Sequence, residues 1–325
     1  MSVKQKMLEV LENNRGEYIS GGQLAKILDV SRNAIWKAVK SLENEGYAID
    51  AVKNRGYRLA KTNDLLSEQS IRKYLTDSQN RYQITVKKRV SSTNEELKQA
   101  AFAGAREGEV LITEEQTCGK AHRGREFYSP KGNGIYMSIL LRPKASMEQA
   151  FLLPAAAAVA VAQAIDSVSG NHSQIKWVND ILVDGKKVCG ILTEASFDLE
   201  TRGLHYVVLG IGIHVKGSME AFPKVNHGIS GAVFEQSETA VRSQLIAEVL
   251  MRFADFYQEL DKKTFFEEYR NRSCLLGKTV YLEKKEERVK GKVLDITERC
   301  HLLVEMEDGE VEELSAGTVS MEEEL

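Results

Sequence analysis

Apolar residues recur at helical spacing from the start of the chain. Met7, Leu8, Val10 and Leu11 share one stripe, which predicts a helix over residues 4–14. Ile19 to Leu28 reads as a turn feeding a short helix, with Ser20 at its N-cap. Ser31 caps a second helix, whose inner stripe is Ile35, Val39 and Leu42. Arg32, Asn33, Trp36, Lys37 and Lys40 fall outside that stripe. The period then changes. Gly46 to Val52 and Gly56 to Leu59 read as two strands, with Lys53, Asn54 and Arg55 at the tip between them. Two helices joined by a short turn and followed by a basic hairpin predict a winged helix-turn-helix over residues 1–63.

Beyond a polar linker near Lys61-Thr62-Asn63-Asp64, strands and helices alternate. Ile84–Val86, Val110–Thr113, Gly134–Leu141, Ile175–Val178, Ile181–Val183, Lys187–Ala195 and Tyr206–Val215 are strand-like. Thr93–Ala103, the alanine-rich Met147–Val168 and Ala240–Leu260 are helical. This predicts an α/β layer over residues 64–273, with a mixed, mostly antiparallel sheet. Residues 274–325 alternate again through Gly277–Val280, Gly291–Ile296 and Leu302–Glu305, the pattern of a small β-domain. The whole is an α+β chain of three domains, in keeping with its 325 residues.

Composition removes some classes. Hydrophobic residues are 42% and charged residues 28%, too balanced for a disordered or fibrous chain. No apolar run reaches the roughly 18 residues that span a bilayer, so no membrane association is expected. The N-terminal Met1-Ser-Val-Lys-Gln-Lys has no apolar signal core. Cys118, Cys189, Cys274 and Cys300 lie far apart without CxxC spacing, which argues against zinc and a disulfide framework and for a reducing cytoplasm. The net charge of −3 hides an asymmetry: residues 1–63 carry +4, residues 64–274 carry none and residues 275–325 carry −7. A basic first domain points to nucleic acid. Arg32 and Asn33, in the first turn of the second helix, are placed to read base edges, with Ser31, Trp36 and Lys37 beside them. Lys53 can meet a phosphate and Arg55 a minor groove. A helical protein-interaction module is the plainer reading of the same pattern.

Three runs carry the chemistry. Gln116-Thr117-Cys118-Gly119-Lys120-Ala121-His122-Arg123-Gly124-Arg125-Glu126-Phe127 places cations and glycines between strands. Such a loop can order around a carboxylate and a phosphate together, or be a solvated turn. Lys176-Trp177-Val178-Asn179-Asp180 precedes Lys187-Val188-Cys189-Gly190-Ile191-Leu192, where a lysine opens an apolar strand. It meets an anion there or snorkels at the strand end. Gly210-Ile211-Gly212-Ile213-His214-Val215 has alternate glycines, a sign of close approach by a ligand or by packed backbone. No GxGxxG or GxxxxGK[ST] follows a strand, so those nucleotide folds are not indicated.

In this order these runs, with Ser91-Ser92-Thr93-Asn94 and Ser129-Pro130, resemble the biotin–protein ligase family. With the winged helix the resemblance is to its bifunctional ligase and biotin-operon repressor type, over almost the whole chain. It implies that residues 274–325 form an SH3-like β-barrel. It also implies that biotin and ATP give biotinyl-5′-AMP, and that biotin then passes to a lysine of a carrier domain of acyl-CoA carboxylase type. The adenylate would serve as corepressor for a homodimer on operator DNA. By the same resemblance Ser92, Thr93, Asn94, Gln116, Gly119, Lys120, His122, Lys187 and Gly190 hold biotin. Phe127, Asn179, Lys187 and His214 face the nucleotide. Lys187, Arg123, Arg125 and Asp180 serve catalysis, with Asp180 also a ligand for Mg²⁺.

The chain departs from the family pattern at three places. Ala121 replaces a glycine, His122 an arginine and His214 an asparagine. A Cβ at 121 restricts φ, and a neutral histidine removes a fixed charge from the loop. An alternative is therefore a ligand-sensing repressor of the same fold with weak or no ligase activity. A lipoate ligase, or a regulator sensing another acid, are further alternatives.

Overall fold

The computed structural model describes residues 1–76, 82–143, 150–197, 204–217, 230–235, 240–284 and 287–321. The chain divides into two units, Met1–Asp77 with Ser237–Ala247, and Ser78–Gln236 with Glu248–Leu325.

In the first unit three helices form where the sequence supplies their caps. Helix α1 (Val3–Asn13) begins with a Ser2–Gln5 capping box and α2 (Gly21–Leu28) with Ser20–Gln23. Helix α3 (Arg32–Glu45) is capped by Ser31, whose hydroxyl accepts from the Ala34 N–H at 3.2 Å. Gly46, at φ 101°, ends α3. Met7, Leu11, Leu24, Ile35, Val39 and Leu42 close one core, with Leu59 from the hairpin. Strands β1 (Ile49–Val52) and β2 (Gly56–Leu59) pair antiparallel, as the alternation predicts. A short helix α4 (Glu68–Arg72) adds Ser70, 2.8 Å from Ser243. Arg242, 2% exposed, donates to Asp64 at 3.1 Å and to its carbonyl.

The second unit is built on a seven-stranded sheet. Its strands are β3 (Gln83–Lys87), β4 (Glu109–Thr113), β5 (Gly134–Leu141), β6 (Gln174–Lys176), β7 (Asp180–Val183), β8 (Lys186–Phe197) and β9 (Leu204–His214). Their order is β3-β4-β5-β9-β8-β7-β6, with β3 and β4 parallel and the other described pairs antiparallel. Helix α5 (Thr93–Phe102) packs Leu97 and Ala101 on Leu111, Leu140 and Val208. Helix α6 (Leu153–Ser169) buries seven alanines, and their small side chains let it lie close on the sheet. The sequence places its start at Met147, which lies outside the described residues. Pro154, favoured in a first turn, marks the observed start, and Gly170 at φ 74° ends the helix. The strand expected over Ile175–Val178 stops at Lys176, because Trp177 to Asn179 form the turn into β7. Helix α7 (Arg242–Gln258), whose residues up to Ala247 belong to the first unit, and α8 (Phe266–Asn271) follow.

The last five strands, β10 (Thr279–Lys284), β11 (Glu287–Ile296), β12 (Leu302–Met306), β13 (Val311–Leu314) and β14 (Val319–Met321), form an antiparallel sheet in the order β13-β12-β11-β10-β14. Here the expected barrel is corrected. Among the described residues β13 and β14 are the two edges and do not pair, so the sheet is open. Four residues separate them, Ser315 to Thr318, and these face the cavity described next.

Candidate functional site

The sheet's register opens a cavity of about 740 Å³ in the second unit. Tyr136 pairs with Gly212 and Ser138 with Gly210 across β5 and β9, while Gly190 pairs with Gly212 and Leu192 with Gly210 across β8 and β9. The glycines let other groups lie on this face. A Cβ on Gly210 would collide with the Asn94 side chain, and one on Gly212 would stand 2.5 Å from the Phe127 ring. The alternate glycines thus mark close approach by protein groups.

At the start of α5 the polar residues join into one network. Gln116 Oε1 accepts from the Thr93 N–H at 2.9 Å and its hydroxyl at 3.1 Å, and Gln116 Nε2 donates to Ser129 Oγ at 2.9 Å. Ser138 Oγ lies 2.7 Å from Thr93 Oγ1 and 2.6 Å from Asn94 Oδ1. Asn94 Nδ2 donates to Glu194 at 2.8 Å. Asn94 therefore orients its neighbours with both ends of its amide. Ser92 is buried at the N-cap without capping the helix through its hydroxyl. Ser138 and Glu194 escaped the sequence reading. Their signal was the strand register, which only pairing reveals.

Lys187 and Asp180 meet on adjacent strands, Nζ to Oδ1 at 2.6 Å, with the lysine side chain 40% exposed. Asn179 donates to the Ile191 carbonyl, which fixes the turn before Asp180. Lys187 is thus a half-exposed ammonium standing in the cavity, tied to one carboxylate.

The basic loop folds as a small hairpin. Phe127 N–H donates to Gly119 O at 2.9 Å, and Ala121 N–H to Arg125 O at 2.8 Å. At its tip Arg123 takes a left-handed φ of 59°, which costs a non-glycine residue about 1 kcal/mol. Its guanidinium donates to Glu283 on β10 at 3.0 Å. Lys120 pairs with Glu95, whose carboxyl is held below its usual range by that bond and then by Lys98. Burial, and then the charges of Arg123 and Arg125, pull the proton affinity of His122 below the ordinary histidine range, against Asp180.

Phe127 covers Gly212 and stacks on His214, with centroids 4.9 Å apart at 27°. His214 Nε2 lies 3.0 Å from the Tyr128 carbonyl. Burial keeps this imidazole neutral to lower pH than usual, while the Tyr128 and Gly231 backbone pull the other way. Position 214 therefore clamps the aromatic wall from behind.

The cavity gathers most of the residues that the sequence singled out. Ser92, Thr93, Asn94, Gln116, Lys120, His122, Arg125, Phe127, Asn179, Asp180, Lys187, Gly190 and His214 line it, and Gly119 and Arg123 do not. Gly119 lies behind, where a side chain would strike the Phe127 carbonyl. The strands β10–β14 also contribute walls, through Arg299 to His301 and Ser315 to Val319, which no motif announced. All four cysteines are free thiols, and burial pushes the Cys300 thiol up to about 12.

In the first unit, Ser31, Arg32, Asn33, Trp36 and Lys37 are all exposed, as are Lys53, Asn54 and Arg55 at the hairpin tip. Residues 32, 33, 36 and 37 share one face of α3, opposite Ile35, Ala38, Val39 and Leu42. Trp36 is 52% exposed, a large apolar surface to leave in water. The Arg55 guanidinium lies 4.4 Å above the Tyr18 ring, and that of Arg58 lies 4.6 Å from it, which braces the hairpin.

Comparison with known proteins agrees with this layout. Residues 3–58 match an HTH domain, residues 86–214 the biotin/lipoate A/B protein ligase family and residues 275–321 the biotin protein ligase C-terminal domain. The bifunctional ligase/repressor BirA of Bacillus spizizenii is 32% identical over 315 residues, covering 95% of each chain. That of Bacillus subtilis is 34% identical over 259 residues, covering 79% of each. Among solved structures, a biotin protein ligase from Aquifex aeolicus in complex with biotin and ATP aligns with a TM-score of 0.60 at 27% identity. The alignment covers 73% of this chain and 97% of that one. With a winged helix ahead of this cavity and a relative similar over nearly its full length, the chain belongs to the biotin–protein ligase family, in its bifunctional ligase/repressor form.

Proposed function

We propose that this chain joins biotin to ATP as biotinyl-5′-AMP, passes biotin to a lysine of a carrier-protein domain, and represses biotin genes with the adenylate as corepressor. One observation carries the reading. A single cavity holds the Thr93–Gln116 hydrogen-bond pair, the Lys187 ammonium and the aromatic wall of Phe127 under a basic loop. The pair offers polar partners to a ureido head, and the wall a face for adenine. Lys187 stands where a carboxylate oxygen and an α-phosphate must come together. The carboxylate oxygen attacks the α-phosphorus, and pyrophosphate leaves with the electron pair of the broken P–O bond. Lys187 and Arg125 offset the charge that gathers, and the loop keeps water from the mixed anhydride. Asp180 holds Lys187 before ATP arrives and can then orient the acceptor amine. Arg123 serves by fixing the loop through Glu283.

The magnesium ion expected beside Asp180 finds no cage of the chain's own. Among the described residues no three or more metal-type side chains cluster, and Asp180 is paired with Lys187. Every role above belongs to the protein's own groups.

The domain spans 1–63, 64–273 and 274–325 are supported by the three matched segments, each of which falls inside one of them. A homodimer suits a single reading helix on a two-fold operator. No described helix is long and apolar enough to cross a membrane, and the free thiols suit a reducing cytoplasm. The reading is tested by incubating the protein with ATP, Mg²⁺ and biotin, lipoate or octanoate. Pyrophosphate released with biotin alone, followed by a biotin-sized mass gain on a carrier domain, supports it. Adenylate formation without transfer favours the ligand-sensing repressor instead, a reading that gains from a loop with an uncharged His122.

The state of His122 sets a pH dependence. With its proton affinity lowered, the ring is neutral from pH 7 to 8 and charges only below the ordinary midpoint of about 6.5. Biotinyl-5′-AMP therefore dissociates at a nearly constant rate between pH 7 and 8, and more slowly only once pH has fallen below the ordinary histidine range. His122→Arg slows dissociation throughout and flattens the profile. Stopped-flow release at several pH values measures both, and identical profiles for parent and variant contradict the contact.

On DNA, Arg32→Ala weakens operator binding more than binding to random sequence, by about 1–3 kcal/mol. Lys53→Ala weakens both alike and lowers the salt slope by about one unit. Titrations at several salt concentrations separate the two. Equal effects on both DNAs mean that α3 does not read bases.

A further inference from the structure

The turn joining β11 to β12 belongs to the C-terminal sheet, yet Arg299, Cys300 and His301 on it line the cavity. The turn is firmly set. Thr297 N–H donates to His301 O at 2.8 Å and Cys300 N–H to Thr297 O at 2.7 Å. Cys300 is buried in the left-handed region, at φ 59°. Its carbonyl accepts from the Trp177 indole at 2.8 Å, which pins the turn to the segment that leads into Asp180. The neighbours of Arg299 are spoken for. Glu298 meets Lys263 at 3.3 Å and His301 meets Glu313 at 2.8 Å. Among the other cations of the cavity, Lys120 and Lys187 are each held by a carboxylate, and Arg125, on the loop, donates to the His122 carbonyl at 3.3 Å. Arg299 is exposed, and among the described residues no group hydrogen-bonds or pairs with its guanidinium. It is a permanent charge lining the cavity, and among the described residues no carboxylate pairs with it.

We propose that Arg299 binds the terminal phosphates of ATP and so stabilises the departing pyrophosphate. The proposal rests on the cavity being the site of adenylation. The other walls already have occupants by chemistry: the polar network suits the biotin head, and Phe127 over Gly212 suits a base. The triphosphate must extend from Lys187 toward a remaining wall, and the Arg299 turn is anchored three residues before Asp180, through Trp177. As biotin's carboxylate oxygen bonds to the α-phosphorus, the bond from that phosphorus to the bridging oxygen breaks, and the electron pair leaves on pyrophosphate. A guanidinium can meet two of its oxygens at once, and the contact strengthens as charge moves there.

The test separates the partial reactions of the full-length protein. Arg299→Ala raises the KM for ATP and weakens inhibition by pyrophosphate, each by about tenfold or more. It leaves biotin affinity and the rate of biotin transfer from purified biotinyl-5′-AMP to the carrier unchanged. Arg299→Lys recovers part of the loss, and Glu298→Gln, on the same turn, reproduces none of it. Unchanged ATP and pyrophosphate constants with slower transfer overturn the proposal in favour of carrier docking. Equal loss of every step in Arg299→Ala and Arg299→Lys overturns it in favour of a structural role. If the parent releases no pyrophosphate with biotin, it is the reading of the cavity that fails instead.

Discussion

Replacing Lys187 with alanine lowers the rate of biotin-dependent pyrophosphate release by about 100-fold or more, the loss typical when a charge-stabilising donor is removed. The fold survives, because the side chain is 40% exposed and its tie is to Asp180, not to the core. Two effects add. The ammonium no longer offsets charge at the α-phosphate, and the Asp180 carboxylate, freed of its partner 2.6 Å away, repels the incoming nucleotide. The second effect is separable. Lys187→Ala combined with Asp180→Asn recovers several-fold of the lost rate in adenylation, though not in transfer if Asp180 orients the acceptor amine. Pyrophosphate release and carrier modification, measured on both variants, check this. Near-normal adenylation by Lys187→Ala removes the lysine from the chemistry.

Arg242→Ala destabilises the first unit by about 3–5 kcal/mol, the cost of breaking a buried ion pair from one side. Arg242 is 2% exposed, and its guanidinium serves both the Asp64 carboxylate and the Asp64 carbonyl. Truncation takes the guanidinium away from both acceptors, the carboxylate being only 15% exposed. Removing both charges costs less: Arg242→Met with Asp64→Asn regains part of the loss, since the carboxylate is removed together with its guanidinium. Amide exchange in residues 64–72 and the urea midpoint of the first transition report the difference. An Arg242→Ala protein with parental exchange rates there contradicts the account. Arg242 gave no sign of this in the sequence, where it is simply a charged residue opening a helix far from Asp64.

Local signals carried the first unit. Ser2, Ser20 and Ser31 cap the three helices because a serine hydroxyl can bond the backbone two or three residues on, whatever surrounds it. The stripe of Ile35, Val39 and Leu42 faces inward for the same local reason. Strand periods were equally local, and the seven strands of the middle sheet fell near their predicted places. Boundaries moved where a turn won, as at Trp177, which a strand pattern includes but the turn into β7 claims.

Element types, helix caps, the exposed face of α3 and the residue types lining the cavity are legible in the chain itself. These depend on contacts between near neighbours, or on motifs whose chemistry is legible in a run of residues. What those residues do to one another came from the three-dimensional fold. It set Lys187 against Asp180, turned Arg123 away to Glu283, and sent Asn94 to Ser138 and Glu194. It opened the C-terminal sheet and placed Arg299 on the cavity wall. Each of these joins positions far apart in the chain through strand register or a docked turn. Nothing local constrains such pairings, because their free energy arises only when the distant backbone segments are already in place.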